Sequence, residues 1–216
     1  MTEREERMRT VLQNRVASLR IVAEALHLRH NLSAILRTAE SFGVHDVHLI
    51  QPKKAKASSA ARGAERWLRI HIHTSLEDCV AQLHQEGYQI WVADIDEGAS
   101  TPHNIPIDTP IAILMGTELT GVSKEARELA DGCIYVPMVG FTQSLNVSVA
   151  AACILHTLSQ RLAEKEDVAR LSDAHIEEMV ALWKARDENN RRDLKKKLKL
   201  IGEMPEVRGN DADHSH

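Results

Sequence analysis

Short apolar segments alternate with amphipathic ones along most of the chain, and this alternation restricts the fold more than any other feature. Helical segments are bounded by Asn31 and Ser75 as candidate N-terminal caps and by Gly43 and Gly87 as candidate left-handed ends. Such alternation predicts an α/β fold in which a mostly parallel sheet carries helices on both faces. The segments with strand character are 19–26, 46–50, 68–73, 88–94, 111–115 and 133–137.

Further helices are predicted at both ends of the chain and around the last strand. A polar helix is expected over 3–17, a short one over 124–130, and a helix rich in small residues after Asn146. A last helix beyond Asp167 precedes a polar tail. The apolar stripe of that helix consists of Ile176, Met179, Val180 and Trp183.

Polar or glycine-bearing segments follow three of the predicted strands. They run from Asp94 onward, over 116–121 and over 139–146. In open parallel sheets, ligands bind beyond the carboxyl ends of the strands, where the loops leave the sheet. The sequence therefore predicts three candidate binding loops along one edge.

Motifs and composition exclude several function classes. The chain lacks a GxGxxG fingerprint, a GxxxxGK[ST] loop and a GxSxG elbow, which disfavours a dinucleotide site, a P-loop and serine-hydrolase chemistry. Aromatic residues make up 3% of the sequence, too few for a platform that stacks several bases. No apolar run approaches the roughly 18 residues of a membrane span, so no membrane association is expected.

Cysteine and histidine usage predicts neither disulfides nor a metal site. The three cysteines are widely spaced and form no CxxC pair, which favours a reducing compartment, the cytoplasm. Among the twelve histidines, His71 and His73 share one face of a strand without a third ligand nearby in the sequence. Structural or solvent-facing histidines are therefore the favoured interpretation, and no metal is expected.

Basic residues cluster although the net charge is −4. Six lie between Lys53 and Arg69 against one acid, and eight lie between Lys184 and Lys199 against three. The first thirty residues add six arginines against four glutamates. Three such patches favour contact with nucleic acid, and the alternative for any one of them is a solvated helix face. The residues predicted to bind RNA are Arg7, Arg9, Arg15, Lys53, Lys54, Arg62, Arg191, Arg192, Lys195, Lys196 and Lys197.

Four polar residues lie in apolar or glycine-rich surroundings and are candidates for catalysis or ligand binding. Arg37 stands among apolar residues of a predicted helix, and a core-facing arginine needs a partner or a role. Glu118 lies in a turn after a strand, and Ser144 and Asn146 open a helix whose free N–H groups can hold a ligand. The alternative is structural: an Arg37–Glu118 ion pair and a helix cap at Asn146.

Three segments together carry a family resemblance. They are HNLSAILRTAESFG (30–43), ILMGTELTG (113–121) and VPMVGFTQSLNVSVAAA (136–152), in this order. The chain resembles the SPOUT class of RNA 2′-O-methyltransferases, and within it the TrmH (SpoU) family, from about Leu19 to Arg161. The entry to the first segment, HLRH over 27–30, departs from the family pattern, which usually has a proline before the histidine.

The resemblance implies a fold, a reaction and a set of site residues. It implies a C-terminal trefoil knot over about 111–163, a homodimer whose active site is shared between subunits, S-adenosyl-L-methionine as methyl donor, and a ribose 2′-hydroxyl as acceptor. By position, Arg37 corresponds to the catalytic arginine, and Asn31, Glu118, Ser144 and Asn146 complete the site. The implied donor contacts are Ala93, Asp94, Met115, Gly116, Val136, Met138 and Leu145.

The flanks indicate the substrate within the family. We expect a basic helical extension over 1–18, the methyltransferase domain over 19–163, a basic helical extension over 164–200 and a loose tail over 201–216. Short basic extensions resemble members that methylate guanosine 18 in the tRNA D-loop. Ribosomal RNA, another tRNA ribose, or a knotted RNA-binding protein without turnover are the alternatives.

Overall fold

The computed structural model describes residues 2–24, 29–51, 64–117, 120–165 and 169–202. Within these ranges a six-stranded sheet has the order β3-β2-β1-β5-β4-β6, and the pairings between its strands are all parallel. The predicted α/β class and mostly parallel sheet are therefore confirmed. The strands are β1 (Leu19–Glu24), β2 (Asp46–Ile50), β3 (Arg69–His73), β4 (Gln89–Ala93), β5 (Ile111–Met115) and β6 (Gly132–Ile134).

Helices occupy the positions that the sequence predicts, with two corrections at their boundaries. The Ser75 side chain caps α3, and Gly43 and Gly87 follow α2 and α3 with φ of 80° and 82°. Asn31, predicted as a cap, instead lies inside the first turn of α2, and α1 ends at Gln13 rather than residue 17. The helices are α1 (Glu3–Gln13), α2 (Arg29–Ser41), α3 (Leu76–Gln85), α4 (Lys124–Leu129), α5 (Val147–Ala163) and α6 (Asp173–Gly202).

The last strand is shorter than the sequence predicts. It ends at Ile134, and residues 135–137 lie outside the regular sheet. This early end frees Tyr135 and Val136 to line a cavity, as described below. The trefoil knot implied by the resemblance stays a prediction, and none of the helices in the described ranges is both long and apolar enough to cross a bilayer.

Side chains of alternate residues of the central strands pack in two apolar layers, one on each face of the sheet. On β5, Ile111, Ile113 and Met115 face the layer that contains α2 and α5, whereas Ala112 and Leu114 face α3 and α4. Both layers are closed to solvent, since all five of these side chains are buried. Helices on both faces of the sheet are thus confirmed.

A third, smaller core joins the two ends of the chain. Met8 and Leu12 of α1 pack against α6, where the predicted apolar stripe of Ile176, Met179, Val180 and Trp183 is buried. The stripe is confirmed, and the N-terminal helix is its partner. The division of the chain into a domain and two extensions stays a prediction.

Arg15 is buried in the described part of the fold, which corrects its assignment as an RNA contact. It is 1% exposed. Its Nη1 donates to the carbonyl oxygens of Glu40 and Val44 at 2.9 and 2.7 Å, and its Nη2 pairs with Glu40 Oε1 at 2.8 Å. The guanidinium thereby satisfies carbonyl groups at and just beyond the C-terminal end of α2, which a helix leaves without internal partners. It has no surface on which RNA could lie.

Candidate active site

A cavity of about 390 Å³ opens at the carboxyl ends of β4, β5 and β6. Each of the three predicted binding loops contributes to its wall. In the third loop, the contributing residues are 144–146, whereas 139–143 do not line the cavity. Ser144 and Asn146 also line it. Every residue implied as a donor contact lies in this wall, namely Ala93, Asp94, Met115, Gly116, Val136, Met138 and Leu145. Whether they bind a methyl donor stays a prediction.

The loop after β5 turns back on itself at the cavity. Thr117 N donates to Gly121 O at 2.8 Å, and Gly121 N donates to Thr117 O at 3.1 Å. Gly121 adopts φ of 67°, a conformation that favours glycine. A Cβ at Gly116 would stand 2.2 Å from backbone atoms of Gly121 and Val122, so only glycine fits there. Glu118, predicted as a site residue, lies outside the described residues.

Replacing Gly116 by alanine is expected to distort this loop. The atoms that the new Cβ meets belong to the backbone, which cannot rotate away as a side chain can. We expect Gly116→Ala to lower the free energy of unfolding by about 1–3 kcal/mol, which leaves the protein folded. Urea denaturation measures this loss. Gly98→Ala is the matched control, since a Cβ there meets nothing within 4 Å; equal stability of the two variants would contradict the tight contact.

Asp94 is the charged residue among the described residues of the cavity wall. Its Oδ1 accepts a hydrogen bond from Ile95 N at 2.8 Å, and its carboxylate pairs with Arg127 of α4. The Cys133 thiol donates to the Asp94 carbonyl oxygen at 3.3 Å, and burial together with the Asp94 charge raises the pKa of Cys133. These contacts fix one carboxylate at the end of β4.

Asn146 connects the segment 136–152 to the segment 30–43 through a hydrogen bond. Its Oδ1 accepts from Ser148 N at 2.9 Å, so it caps α5 as the structural interpretation predicts. Its Nδ2 also donates to Asn31 Oδ1 at 3.2 Å, although the two residues stand 115 positions apart. Asn31 is 2% exposed and lies in the first turn of α2. The structure thus brings Asn31 to the same corner of the cavity as Asn146.

Arg37 lies on the exposed side of α2, which corrects the expectation that it faces the core. The buried residues of this part of the helix are Ile35, Leu36 and Ala39. Arg37 lies six positions after Asn31, which is a rise of about 9 Å along the helix axis. Arg37 is not one of the described residues that line the cavity. Its guanidinium is therefore available to a group that approaches from outside the chain.

The predicted RNA-binding residues differ in what the structure shows of them. Arg7 is exposed on α1, and Arg9 is half-buried and pairs with Glu177 of α6. Lys53, Lys54 and Arg62 lie outside the described residues. The remaining five lie along the C-terminal half of α6, with side chains outside the described part: Arg191, Arg192, Lys195, Lys196 and Lys197.

Sequence reasoning missed several residues of the cavity wall. Val147, Ala150 and Ile154 of α5 line it together. Their spacing of three and four places them on one face of the helix, and this periodicity could have identified them. Tyr135 also lines the cavity. The predicted strand 133–137 runs through it, and none of the site residues implied by the resemblance falls on it.

The cavity is bordered by apolar side chains that face solvent. Val139 and Phe141 are fully exposed, and Leu145 and Val149 are 36% and 47% exposed. Leu145 belongs to the cavity wall, and Val149 lies one residue before the wall residue Ala150. A group of exposed apolar residues near a cavity is typical of an interaction surface.

Comparison with known proteins places this geometry in a family. The model of the SpoU rRNA methylase family matches residues 18–156. A tRNA (guanosine(18)-2′-O)-methyltransferase of Escherichia coli strain K12 is 42% identical over 148 residues, or 68% of this chain. The match spans 65% of the length of that relative. A protein of the same description from Thermus thermophilus is 37% identical over 83% of this chain and 95% of its own length.

A solved structure shows the same fold. The crystal structure of the TrmH/SpoU tRNA modifying enzyme of Aquifex aeolicus superposes with a TM-score of 0.77 at 32% identity. The match covers 86% of this chain and 96% of that chain. It therefore includes parts of the chain that lie beyond the residues matched by the family model.

Proposed function

The chain belongs to the SpoU rRNA methylase family, and on that premise we propose that it transfers a methyl group from S-adenosyl-L-methionine to the ribose 2′-hydroxyl of guanosine 18 in tRNA. The observation that carries the proposal is the cavity, whose wall draws on all three predicted loops. The two relatives described above, both called tRNA (guanosine(18)-2′-O)-methyltransferases, support tRNA as the substrate. The free cysteines are consistent with a reducing compartment, the cytoplasm.

The cavity fits the methyl donor in size and in lining. Its volume of about 390 Å³ falls in the range of about 300–1,000 Å³ that small-molecule sites occupy. Ile134, Val136 and Ile154 supply an apolar wall, and Asp94 supplies a fixed carboxylate. When bound, S-adenosyl-L-methionine supplies an electrophilic methyl group on a sulfonium. We assign its contacts to the seven residues implied by the resemblance, mostly through backbone groups at the strand ends.

Arg37 is the residue that we propose acts on the acceptor. A ribose hydroxyl is a weak acid, so its oxygen must be oriented and its developing negative charge stabilised. A guanidinium has a pKa above about 12 and does not serve readily as a base. We therefore assign Arg37 the role of a cation that orients a phosphate and stabilises the developing alkoxide, with a phosphate oxygen as the relay for the proton.

The position of Arg37 supports an active site shared by two copies of the chain. Within the described residues it is exposed and does not line the cavity of its own chain. The exposed Val139, Phe141, Leu145 and Val149 provide an apolar surface beside the cavity that a second copy can cover. We propose a homodimer in which Arg37 of one copy serves the cavity of the other.

Mapping of the methylated nucleotide tests the proposed function. The purified protein, labelled donor and an unmodified tRNA transcript are incubated, and the label is located by digestion. We expect about one methyl group per tRNA, on the 2′-oxygen of guanosine 18. The matched control is the same tRNA with 2′-deoxyguanosine at position 18, which should accept no label. A base-methylated product or an unlabelled tRNA would contradict the proposal.

Ribosomal RNA is the second candidate substrate, because the matching family is described by rRNA methylation. The same assay on bulk RNA from a strain that lacks the protein distinguishes the two. Label in the ribosomal RNA with none in tRNA would favour the second candidate. Donor binding without any transfer would favour the third alternative, an RNA-binding protein without turnover.

The basic end of α6 is expected to bind phosphate groups of the RNA. We expect the combined change Lys195→Gln, Lys196→Gln and Lys197→Gln to weaken tRNA binding for all tRNA sequences alike. The slope of log K against log salt concentration should become shallower by about 0.7–0.9 for each phosphate that the variant no longer neutralises. Binding measured between low and high salt checks both effects. The control is the triple change of the same lysines to arginine, which conserves the charge. Equal affinity of the two triple variants for tRNA would show that this part of α6 does not contact the RNA.

A further inference from the structure

Two histidines and a cysteine from three different elements meet at the β3 edge of the sheet. His48 lies on β2, His73 is the last residue of β3, and Cys79 lies on α3. One ring nitrogen of each histidine and the Cys79 Sγ all lie within 4.8 Å of one another. His48 Nδ1 and His73 Nε2 are 2.9 Å apart. Three donor atoms of types N, N and S therefore converge on one point.

Two of these three groups are enclosed by the protein. His48 and Cys79 have no exposed surface, whereas His73 is half-buried and gives access from solvent.

One ring nitrogen of the buried His48 has no hydrogen-bond partner among the described residues. This nitrogen is Nε2, which is buried. The other nitrogen, Nδ1, shares the hydrogen bond of 2.9 Å with His73 Nε2. Buried polar groups in folded proteins are nearly always paired, because an unpaired one costs free energy. His71 stacks on the His48 ring with centroids 4.5 Å apart, and its own Nε2 is engaged by Asp46 Oδ1 at 2.6 Å.

We propose that His48, His73 and Cys79 bind one divalent transition-metal ion of the zinc type, with a fourth position left for water. Imidazole and thiolate are the ligands that such ions prefer. In a tetrahedral site with metal–nitrogen and metal–sulfur bonds of about 2.0 and 2.3 Å, the donor atoms stand roughly 3.3–3.6 Å apart. Movements of about 1 Å or less bring the three groups to that spacing. Cys79 exchanges its thiol proton for the metal–sulfur bond, and the proton leaves to solvent.

The site is distinct from the candidate active site. The sheet order puts β2 and β3 on one side of β1, whereas the cavity lies at β5, β4 and β6 on the other. A bound ion would tie the edge strand β3 to β2 and to α3. The inference is independent of the proposed methyl transfer, and failure of either leaves the other standing.

Cobalt titration tests the site directly. The full chain is treated with a chelator, transferred to reducing buffer and titrated with Co²⁺, a spectroscopic substitute for Zn²⁺. We expect thiolate-to-cobalt charge-transfer absorption that saturates at about one ion per chain and is lost on addition of Zn²⁺. Zn²⁺ should also raise the Tm of the chelator-treated protein. Absence of the charge-transfer band in the unaltered protein overturns the proposal.

Variants assign the ligands. Cys79→Ser and His73→Gln are expected to lose the charge-transfer band or to weaken cobalt binding at least tenfold. Cys133→Ser and Cys153→Ser are the matched controls and should keep it. Cys153 is exposed and stands three residues before the exposed His156 on α5, so loss of the band in Cys153→Ser would place the metal there instead. If Cys79→Ser does not fold, His73→Gln decides, and its unchanged binding overturns the proposal.

Discussion

Arg37→Lys is expected to lower the rate of methyl transfer by about 10²–10³-fold, which is the effect of removing one preorganised donor from a developing oxyanion. Lysine keeps the positive charge but loses the planar fork that holds a phosphate through two hydrogen bonds. Because Arg37 is exposed on α2, we expect the Tm to be unchanged. Single-turnover rates with saturating donor and tRNA measure the chemical step.

The outcome distinguishes two roles for this arginine. Near-normal turnover in Arg37→Lys would show that planar guanidinium geometry is not needed, and it would contradict the role proposed above. Arg170→Lys is the matched control, because Arg170 is exposed and its guanidinium donates to the Asn14 carbonyl oxygen at 2.9 Å. We expect that variant to transfer methyl groups at the normal rate.

Mixing two impaired variants tests whether the active site is shared. In the proposed homodimer, Arg37→Ala removes the cation and Gly116→Ala damages the cavity, each in its own copy of the chain. Coexpression gives mixed dimers in which one of two sites combines an intact Arg37 with an intact cavity. We expect about a quarter of the normal activity, since half of randomly paired dimers are mixed. No recovery above either variant alone would contradict the shared site.

The fold and the cavity were accessible from the sequence because their signals are local. The strand 111–115 is a continuous apolar run, and the turn after it carries two glycines. A Cβ at Gly116 would meet backbone atoms, and Gly121 adopts a positive φ. Parallel strands bring their carboxyl ends to one edge, so residues after the strands had to meet there. The resemblance to the family, and not the strand ends, indicated Ala93 and Val136, which both line the cavity despite their apolar side chains.

The remaining features depend on contacts between distant parts of the chain. The sequence around Arg37 suggested burial, but the helix turns that residue outward and buries its neighbours. The third partner of His48 and His73 comes from α3, so no spacing along one strand could reveal it. Arg15 looked like one more basic residue of a surface helix, yet its partners lie 25 and 29 positions further along the chain.

Arg15→Met is expected to lower the free energy of unfolding by about 3 kcal/mol, the largest loss of stability that we expect from a single change here. The substitution keeps the packing volume roughly but leaves the carbonyl oxygens of Glu40 and Val44 and the Glu40 carboxylate without the guanidinium that they share. For a chain of this size, a loss of that order corresponds to a fall in Tm of about 6–12 °C. Urea denaturation and thermal unfolding at neutral pH measure both quantities.

Two further variants test whether the loss of stability comes from the buried contacts of Arg15 or only from the removal of a positive charge. Lys124→Met removes a cation that is 90% exposed and pairs with Glu128 at 3.3 Å, and its effect should stay within about 0.5 kcal/mol. In Arg15→Met combined with Glu40→Gln, the loss should be smaller than the sum of the single losses, because the carboxylate no longer lacks a partner. If Arg15→Met lowers the free energy of unfolding by less than about 1 kcal/mol and also weakens tRNA binding, Arg15 contacts the RNA instead. The buried contacts of its guanidinium with α2 argue for the first outcome.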